Sequence, residues 1–303
     1  MKVVIALGGN ALLERGERPD SDIQEAHVES AVTALAPLLG SHDVILTHGN
    51  GPQVGVLAVE SAQDPALSRP YPFEVLGAQT QGMIGYWLVQ ALSRLVPGRP
   101  AACLLCRTVV RADDPAFAHP TKFVGPVYDE DTAQRLAAQR GWQLRPDGRA
   151  WRRVVPSPEP VELAELDTIR LLAGSGLIVV CAGGGGIPVT RGRDGGLHGV
   201  EAVVDKDLSA ALLARAVGAD ALLILTDVPA VQEGYGTPGA RVIHRATPAE
   251  LRAMSFPDGS MGPKVEAACR FAEATGGMAA IGRLSDAAAL LAGRTGTIVT
   301  TGS

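Results

Sequence analysis

The sequence predicts an α/β protein with a mainly parallel sheet covered by helices. Short apolar or β-branched runs alternate with helix-length segments along the 303 residues, which is typical of parallel sheets with helices on their faces. Glycine is abundant, with 36 residues, and clusters of glycine directly follow several apolar runs. Glycines at strand ends indicate that the main chain approaches something closely there.

The predicted elements follow this alternation in order. The strands are Val3–Leu7, Val44–Thr47, Ala101–Val110, Leu177–Cys181, Ala221–Thr226, Met278–Ile281 and Thr297–Thr300. The helices lie near Ile23–Leu39, Phe73–Leu95, Pro160–Ala173, Asp207–Val217, Pro248–Met254 and Pro263–Ala274. Pro160 suits a first helical turn. Asp113–Pro158 is rich in proline and glycine and has little periodicity, so we expect an inserted lid with strands of its own.

Composition and charge disfavour several classes of protein. The net charge is −5 without long runs of one sign, so neither a nucleic-acid surface nor a membrane surface is predicted. No apolar run approaches the roughly 18 residues of a membrane-spanning helix. Cys103 and Cys106 form a C-x-x-C, but it lies inside an apolar run rather than at a strand-to-helix junction, which disfavours a redox or metal role. We expect a reduced, cytoplasmic protein.

Three predicted strands end in glycine turns. These turns are Gly8-Gly9-Asn10, Gly49-Asn50-Gly51 and Gly183–Gly186. Ligands of open parallel sheets bind beyond the carboxyl ends of strands, where glycine turns can direct main-chain N–H groups at an anion. One such turn could be an ordinary tight turn, but three together predict a phosphate site. The P-loop pattern is missing, and the turn Gly183–Gly186 does not complete a G-x-G-x-x-G because Pro188 occupies the place of the last glycine, so P-loop enzymes and Rossmann dehydrogenases are disfavoured.

Lysine is scarce, because only four of the 27 basic residues are lysines. Besides Lys2 they are Lys122 in the predicted lid, Lys206 between two aspartates and Lys264 at a helix start. A compact ammonium charge suits a moving phosphoryl group, although each lysine could instead be solvated and paired with a neighbour. Asp207 could cap its helix, or it could hold two lysines in position, and both roles could hold at once.

Several segments resemble the carbamate kinases, a group within the amino acid kinase family. The segments include ALGGNA, HGNGPQVG, QTQGMIGYWL, PTKFVGP, CAGGGGIPV, GVEAVVDKDLSA, LILTDV and GSMGPKVEAA. Their order and spacing agree over essentially the whole chain. The resemblance implies a three-layer αβα sandwich around a mainly parallel eight-stranded sheet. It also implies an acceptor-binding lobe over residues 1–200, with the lid at about 113–158, and a nucleotide-binding lobe over residues 201–303.

The resemblance also implies roles for individual residues. Gly8, Gly9, Asn10, Gly49, Asn50 and Gly51 would bind the transferring phosphoryl group and the acceptor. Lys122, Lys206, Asp207 and Lys264 would be catalytic, and Thr226, Asp227, Met261 and Lys264 would contact the nucleotide. No protein residue is assigned to a metal. Thr226 and Asp227 could equally form a plain turn, and we expect His48 to organise its loop.

The implied reaction is reversible phosphoryl transfer between ATP and carbamate, giving ADP and carbamoyl phosphate, with Mg²⁺ on the nucleotide and a homodimer as the assembly. Carbamate is already an anion, so alignment and charge neutralisation would replace a general base.

Two alternatives remain at this point. The acceptor could be acetylglutamate, aspartate or UMP, but the lid disfavours this, as does Ala6, where other amino acid kinases tend to have a lysine. The protein could also be an inactive nucleotide-binding regulator, which the presence of Lys122, Lys206 and Asp207 disfavours.

Overall fold

A computed structural model describes residues 1–14, 16–257 and 259–302, without the side chain of Asn10. The strands are β1 (Lys2–Leu7), β2 (Asp43–His48), β3 (Ala101–Cys103), β4 (Arg107–Val110), β5 (Lys122–Tyr128), β6 (Gln143–Asp147), β7 (Ala150–Val155), β8 (Pro160–Leu163), β9 (Ile178–Val180), β10 (Ile187–Arg191), β11 (Leu197–Gly199), β12 (Ala221–Thr226), β13 (Gln232–Glu233), β14 (Arg241–Val242), β15 (Arg245–Ala246), β16 (Met278–Arg283) and β17 (Thr297–Val299). The helices are α1 (Ser21–Leu39), α2 (Gly51–Gln63), α3 (Phe73–Leu95), α4 (Glu130–Arg140), α5 (Leu166–Gly174), α6 (Lys206–Ala216), α7 (Pro248–Arg252), α8 (Met261–Thr275) and α9 (Ala287–Leu291). In these ranges no helix is both long enough and apolar enough to cross a bilayer.

A mainly parallel sheet forms the middle layer. Within the described residues it has 8 strands in the order β15-β17-β16-β12-β1-β2-β9-β3, and only the pairing of β16 with β17 is antiparallel. Alternate residues of β1 belong to opposite cores: Val3 and Ile5 pack with residues of α1 and α3, and Val4 packs with residues of α6 and α8. A central strand that is covered on both faces is apolar throughout. The predicted αβα sandwich is therefore confirmed.

The predicted insertion carries a sheet of its own. Strands β5, β7 and β6 pair in that order into a three-stranded antiparallel sheet, and α4 joins the first of these strands to β6. We call residues 122–155 the lid. A few apolar side chains hold it to the body of the molecule, namely Val124 and Val155 against Val54, Phe73 and Leu76. The division of the chain into an acceptor lobe and a nucleotide lobe stays a prediction.

The single strand predicted at Ala101–Val110 is wrong. The run divides into β3, at the edge of the main sheet, and β4, in a second sheet with the order β11-β10-β4-β8. The break lies where the Gln81 side chain binds the main chain of Cys106: Oε1 accepts from its N–H at 2.8 Å and Nε2 donates to its C=O at 3.1 Å. A buried amide 25 residues away therefore satisfies the main chain where the strand stops.

The helix predicted to begin at Pro160 is also wrong in its first part. Residues Pro160–Leu163 form β8, which pairs antiparallel with β4 at the edge of the second sheet. Proline is tolerated in an edge strand because one side of such a strand makes no ladder hydrogen bonds. The helix begins only at Leu166. Helix α2 was not predicted, because its first residues were interpreted as part of a glycine turn.

Candidate functional site

The first two glycine turns touch through their main chains. They follow β1 and β2, which pair in parallel with Leu7 opposite His48. A methyl group on Gly49 would lie 2.9 Å from the main-chain nitrogen of Gly9. Gly51 begins α2, and a methyl group on Gly9 would lie 3.7 Å from Pro52 in the first turn of that helix. The N–H groups of a helix start favour anions, so the two turns and α2 form one surface suited to an anion.

The third glycine turn packs against the second. It follows β9, the neighbour of β2, and Gly184, Gly185 and Gly186 all have left-handed φ values, of 64°, 92° and 90°. A methyl group on Gly184 would lie 2.2 Å from Nδ2 of Asn50. That amide donates to Oγ1 of Thr80 in α3 at 2.9 Å. Asn50 therefore separates and aligns two glycine turns.

Side-chain hydrogen bonds hold the third turn in place. Gln81 donates to the C=O of Gly183 at 3.1 Å, and the hydroxyls of Thr108 and Ser209 both donate to the C=O of Gly185 at 2.7 Å. All three side chains are buried. We did not predict these residues, although Gln81 lies in a segment that carries the family resemblance. Their contribution depends on contacts that are remote in sequence.

Lys206, Asp207 and Lys264 form a largely buried group that we call the lysine cluster. The Asp207 carboxylate accepts from Lys206 Nζ at 2.6 Å through Oδ1 and from Lys264 Nζ at 2.8 Å through Oδ2. Burial opposes ionisation of Asp207, but the two ammonium groups outweigh it, so the pKa of Asp207 lies well below its usual value. Burial also lowers the pKa of Lys206. Two cations share one carboxylate, which leaves a net positive charge for an anionic ligand.

Asp205, not Asp207, caps α6. Its Oδ1 accepts from the N–H groups of Asp207 and Leu208 at 2.9 and 3.2 Å. Its Oδ2 accepts from Nζ of Lys122 at 3.2 Å. The suggested N-cap role of Asp207 is therefore wrong, and its alternative role of holding two lysines is confirmed. Asp205 connects the lid lysine to the helix that carries Lys206.

The lysine cluster lies beside the glycine turns. The main chain of Val204 limits the space at Gly185, where a methyl group would come within 2.4 Å of the Val204 carbonyl oxygen. Ser209 of α6 donates to the same glycine. The positive charge of Lys206 also contributes to lowering the pKa of His48, the residue just before Gly49. The charged groups and the turns therefore belong to one site.

His48 is buried and links two of the turns. Its Nδ1 is 2.9 Å from the C=O of Gly49, and a methyl group on Gly183 would lie 2.2 Å from its Nε2. Burial, with a smaller contribution from Lys206, lowers its pKa to about 4. The imidazole is therefore neutral at pH 7, and Nδ1 donates to the carbonyl. This geometry suits the loop-organising role that we expected.

The residues expected to contact the nucleotide lie on two elements. Thr226 ends β12, and its Oγ1 donates to Oδ1 of Asp227 at 3.1 Å. A methyl group on Gly8 would lie 3.6 Å from Thr226 Cα, so this strand end adjoins the first glycine turn. Met261 begins α8, packs against the main core and lies in the same first turn as Lys264. The side chain of Asn10 lies outside the described residues.

Comparison with known proteins decides the family. The sequence model of the amino acid kinase family matches residues 1–281. The chain belongs to the amino acid kinase family. Within that family it is 51% identical over 303 residues to a carbamate kinase of Rhizobium meliloti (strain 1021), with 99% of this chain and 93% of that protein covered.

Two further relatives agree. A carbamate kinase of Escherichia coli (strain K12) is 48% identical over 297 residues, with 98% of each chain covered. The solved structure of a Giardia lamblia carbamate kinase bound to AMP-PNP superposes with a TM-score of 0.91 at 41% identity, covering 99% of this chain and 98% of that one. The family predicted from the sequence motifs is thus confirmed, and this member of it is a kinase, that is, a phosphotransferase.

Proposed function

We propose that the protein is a carbamate kinase, which transfers a phosphoryl group reversibly between ATP and carbamate, and that it serves to make ATP from carbamoyl phosphate. One observation carries the proposal. In a chain 51% identical to a carbamate kinase, three glycine turns adjoin a buried group of two lysines and one aspartate. This arrangement binds and neutralises a phosphoryl group without supplying a base.

The proposed chemistry depends on placement and charge. Carbamate brings its own negative oxygen, so no side chain has to remove a proton. Lys206 and Lys264 would neutralise the charge that spreads over the equatorial phosphoryl oxygens in a loose transition state. Asp207 would hold both ammonium groups at fixed positions, so that little reorganisation is needed during transfer. The N–H groups of the glycine turns would align the moving group.

Lys122 would act on the acceptor side. It is the first residue of β5 and reaches Asp205 from the lid. Its side chain is 37% exposed, against 11% for Lys206 and 16% for Lys264. The lid lysine is therefore the accessible cation of the three, and it would meet carbamate or carbamoyl phosphate as the substrate enters.

The nucleotide would bind near Thr226, Asp227, Met261 and Lys264. Mg²⁺ would arrive on ATP or ADP as part of the substrate. Among the described residues no group of three or more His, Cys, Asp and Glu side chains is arranged to hold a metal ion. Mg²⁺ commonly binds through nucleotide phosphates, water and one or two carboxylates rather than through a full protein cage.

We also propose a homodimer that works in the cytoplasm. Strand β3 is an edge of the main sheet. Tyr86 on the adjacent α3 is 59% exposed, and Leu105, just after β3, is 50% exposed. Unpaired strand edges and exposed apolar side chains are common at subunit contacts. Light scattering after size exclusion tests the dimer, and a monomer at micromolar concentration would contradict it.

The cysteines support the proposed location in the cytoplasm. All four are free thiols, as is usual in a reducing compartment.

The activity test is ATP formation from ADP, Mg²⁺ and carbamoyl phosphate. We expect ATP in proportion to enzyme and substrate. Asp207→Asn, purified in parallel, controls for contaminating kinases, and a reaction without carbamoyl phosphate controls for ATP made from ADP alone. A second assay offers ATP with carbamate, acetylglutamate, aspartate or UMP, and we expect turnover with carbamate. Absence of ATP formation from the wild-type protein would overturn the proposal.

A further inference from the structure

A short connecting segment, residues 200–205, joins β11 to α6 and contacts both the lid and the site. Its Val203 N–H donates to the C=O of Pro156, directly after the lid, at 3.0 Å. Its Val204 main chain packs against Gly185, and Asp205 binds Lys122. The segment therefore lies between the part of the protein that bears the acceptor-side lysine and the part that bears the glycine turns.

Glu201 in this segment accepts hydrogen bonds from two parts of the protein, the start of α3 and the lid. Its Oε2 accepts from the N–H of Phe73 at 2.9 Å, and its Oε1 accepts from Nη2 of Arg153 at 2.7 Å. Phe73 begins α3, and the first N–H groups of a helix have no partner within the helix. Arg153 belongs to β7 of the lid. One carboxylate thus ties the start of a core helix to the lid.

Arg153 is packed as well as paired. Its guanidinium lies over the ring of Phe73 at 4.8 Å and over the ring of Trp142 at 4.4 Å. Its side chain is only 16% exposed, and burial lowers its pKa although the charge of Glu201 opposes that shift. A planar cation held between a carboxylate and two aromatic faces has one defined position. This contact therefore holds β7 of the lid at a defined place beside the start of α3.

Arg153 lies close to Lys122 in the lid sheet. In the lid sheet Arg153 pairs with Val124, and Lys122 pairs with Val155. The two partner valines, Val124 and Val155, belong to one apolar group with Phe73, whose ring also carries the guanidinium of Arg153. When Arg153 is seated on Glu201, the start of β5 is held against the body, and Lys122 reaches Asp205.

We propose that Glu201 is a positioning residue for phosphoryl transfer: it seats the lid through Arg153 so that Lys122 reaches the acceptor side of the site. This proposal rests on the proposed function for its kinetic consequence. The mechanical part, seating of the lid, is independent of which acceptor the enzyme uses.

The kinetic test is a double-mutant cycle between Glu201 and Lys122. Glu201→Gln keeps an oxygen for the Phe73 N–H but removes the charge that Arg153 requires. We expect it to lower kcat/KM for carbamoyl phosphate about 10- to 100-fold, because a small displacement of a reacting group has effects of this size, with little change in KM for ADP. In a Lys122→Met background the same substitution should cost less than about 3-fold, since residues acting through one another are not additive.

Glu162→Gln is the matched control. Glu162 pairs with Arg191 on the surface, and the two side chains are 51% and 52% exposed, so loss of this pair should leave kinetics at the wild-type level. If Glu201→Gln behaves like Glu162→Gln, Glu201 does not position the lid. If Glu201→Gln costs as much without Lys122 as with it, Glu201 does not act through Lys122. Either result overturns the proposal.

Hydrogen exchange separates this inference from the activity. We expect Glu201→Gln to speed amide exchange in residues 122–128 and 150–155 while the strands of the main sheet keep wild-type protection. Unchanged exchange in the lid would overturn the proposal even if the enzyme is active. If Glu201→Gln speeds exchange in the lid but the wild-type protein makes no ATP from carbamoyl phosphate, the proposed function is overturned and the seating of the lid stands.

Discussion

Two regions of the molecule are held in place in different ways. One consists of the glycine turns and the lysine cluster, and the other is the lid. The first two turns contact each other through main-chain atoms, the third packs against the side chains of Asn50 and His48, and the cluster lies largely buried on α6 and α8. The lid is attached by a small apolar group, by two ion pairs, Lys122–Asp205 and Arg153–Glu201, and by a hydrogen bond from Arg140 to the C=O of Ala62. The difference separates two tasks. Groups that must keep their positions during transfer lie on the rigid part, and the cation that meets the entering acceptor lies on a part with few attachments.

The largest expected effect concerns the rigid part. Asp207→Asn removes the charge that holds two largely buried ammonium groups, which would then repel each other in a poorly solvated site. We expect kcat for ATP formation to fall by about 10³-fold, and the free energy of unfolding to fall by about 3 kcal/mol. Kinetics and urea denaturation measure both. A loss no larger than that of a lid variant would break the distinction between the two regions.

The pH dependence of stability tests the burial of His48, which lies beside the glycine turns. Its folded pKa is about 4, below the ordinary 6.5. Above pH 6.5 the ring is neutral in both states, but between pH 6.5 and 4 the unfolded chain binds a proton that the folded chain does not. Stability should therefore fall by about 3 kcal/mol over that window as the pH is lowered. Denaturation of wild type and His48→Asn at several pH values isolates this contribution, and parallel curves would contradict it.

Lys122→Met tests the lid, because we expect it to lower activity while leaving stability almost unchanged. The ammonium group is partly exposed and pairs with a single carboxylate, so its loss should change the free energy of unfolding by less than about 1 kcal/mol. Activity should nevertheless fall by about 10²-fold, because the acceptor loses its cation. A thermal melt and a kinetic assay on the same preparation decide. A large loss of stability would show that the lid is as firmly built in as the lysine cluster.

Two glycines with nearly equal φ angles compare the two regions directly. Gly184 has φ 64° and no room for a methyl group, whereas Gly148 in the lid has φ 65° and open space around it. Alanine should cost about 1 kcal/mol at Gly148 through the left-handed main chain alone. At Gly184 we expect about 2 kcal/mol more, because Asn50 must move. Equal costs in denaturant titrations would mean that the third glycine turn is free to shift.

Local patterns identified most strands of the main sheet, most helices and the glycine turns, because each depends on neighbours in sequence. They failed where a distant side chain intervened. Gln81 binds the main chain of Cys106 and interrupts the apolar run there. Residues Pro160–Leu163 pair with β4 and form an edge strand instead of a helix. In both places a tertiary contact overrode a local preference.

The site shows the same division between local and remote information. By itself the sequence determined the fold class, the family and the identity of the scarce lysines, since these follow from periodicity and from motifs of adjacent residues. Only the tertiary structure decided that Asp205 caps α6 while Asp207 holds the lysines, because either aspartate has the right local position and Lys264 lies 57 residues away. Glu201 is a single acid in a short loop, and its partners Phe73 and Arg153 are 128 and 48 residues distant. Such pairings depend on where the folded chain brings side chains together, which local sequence does not encode.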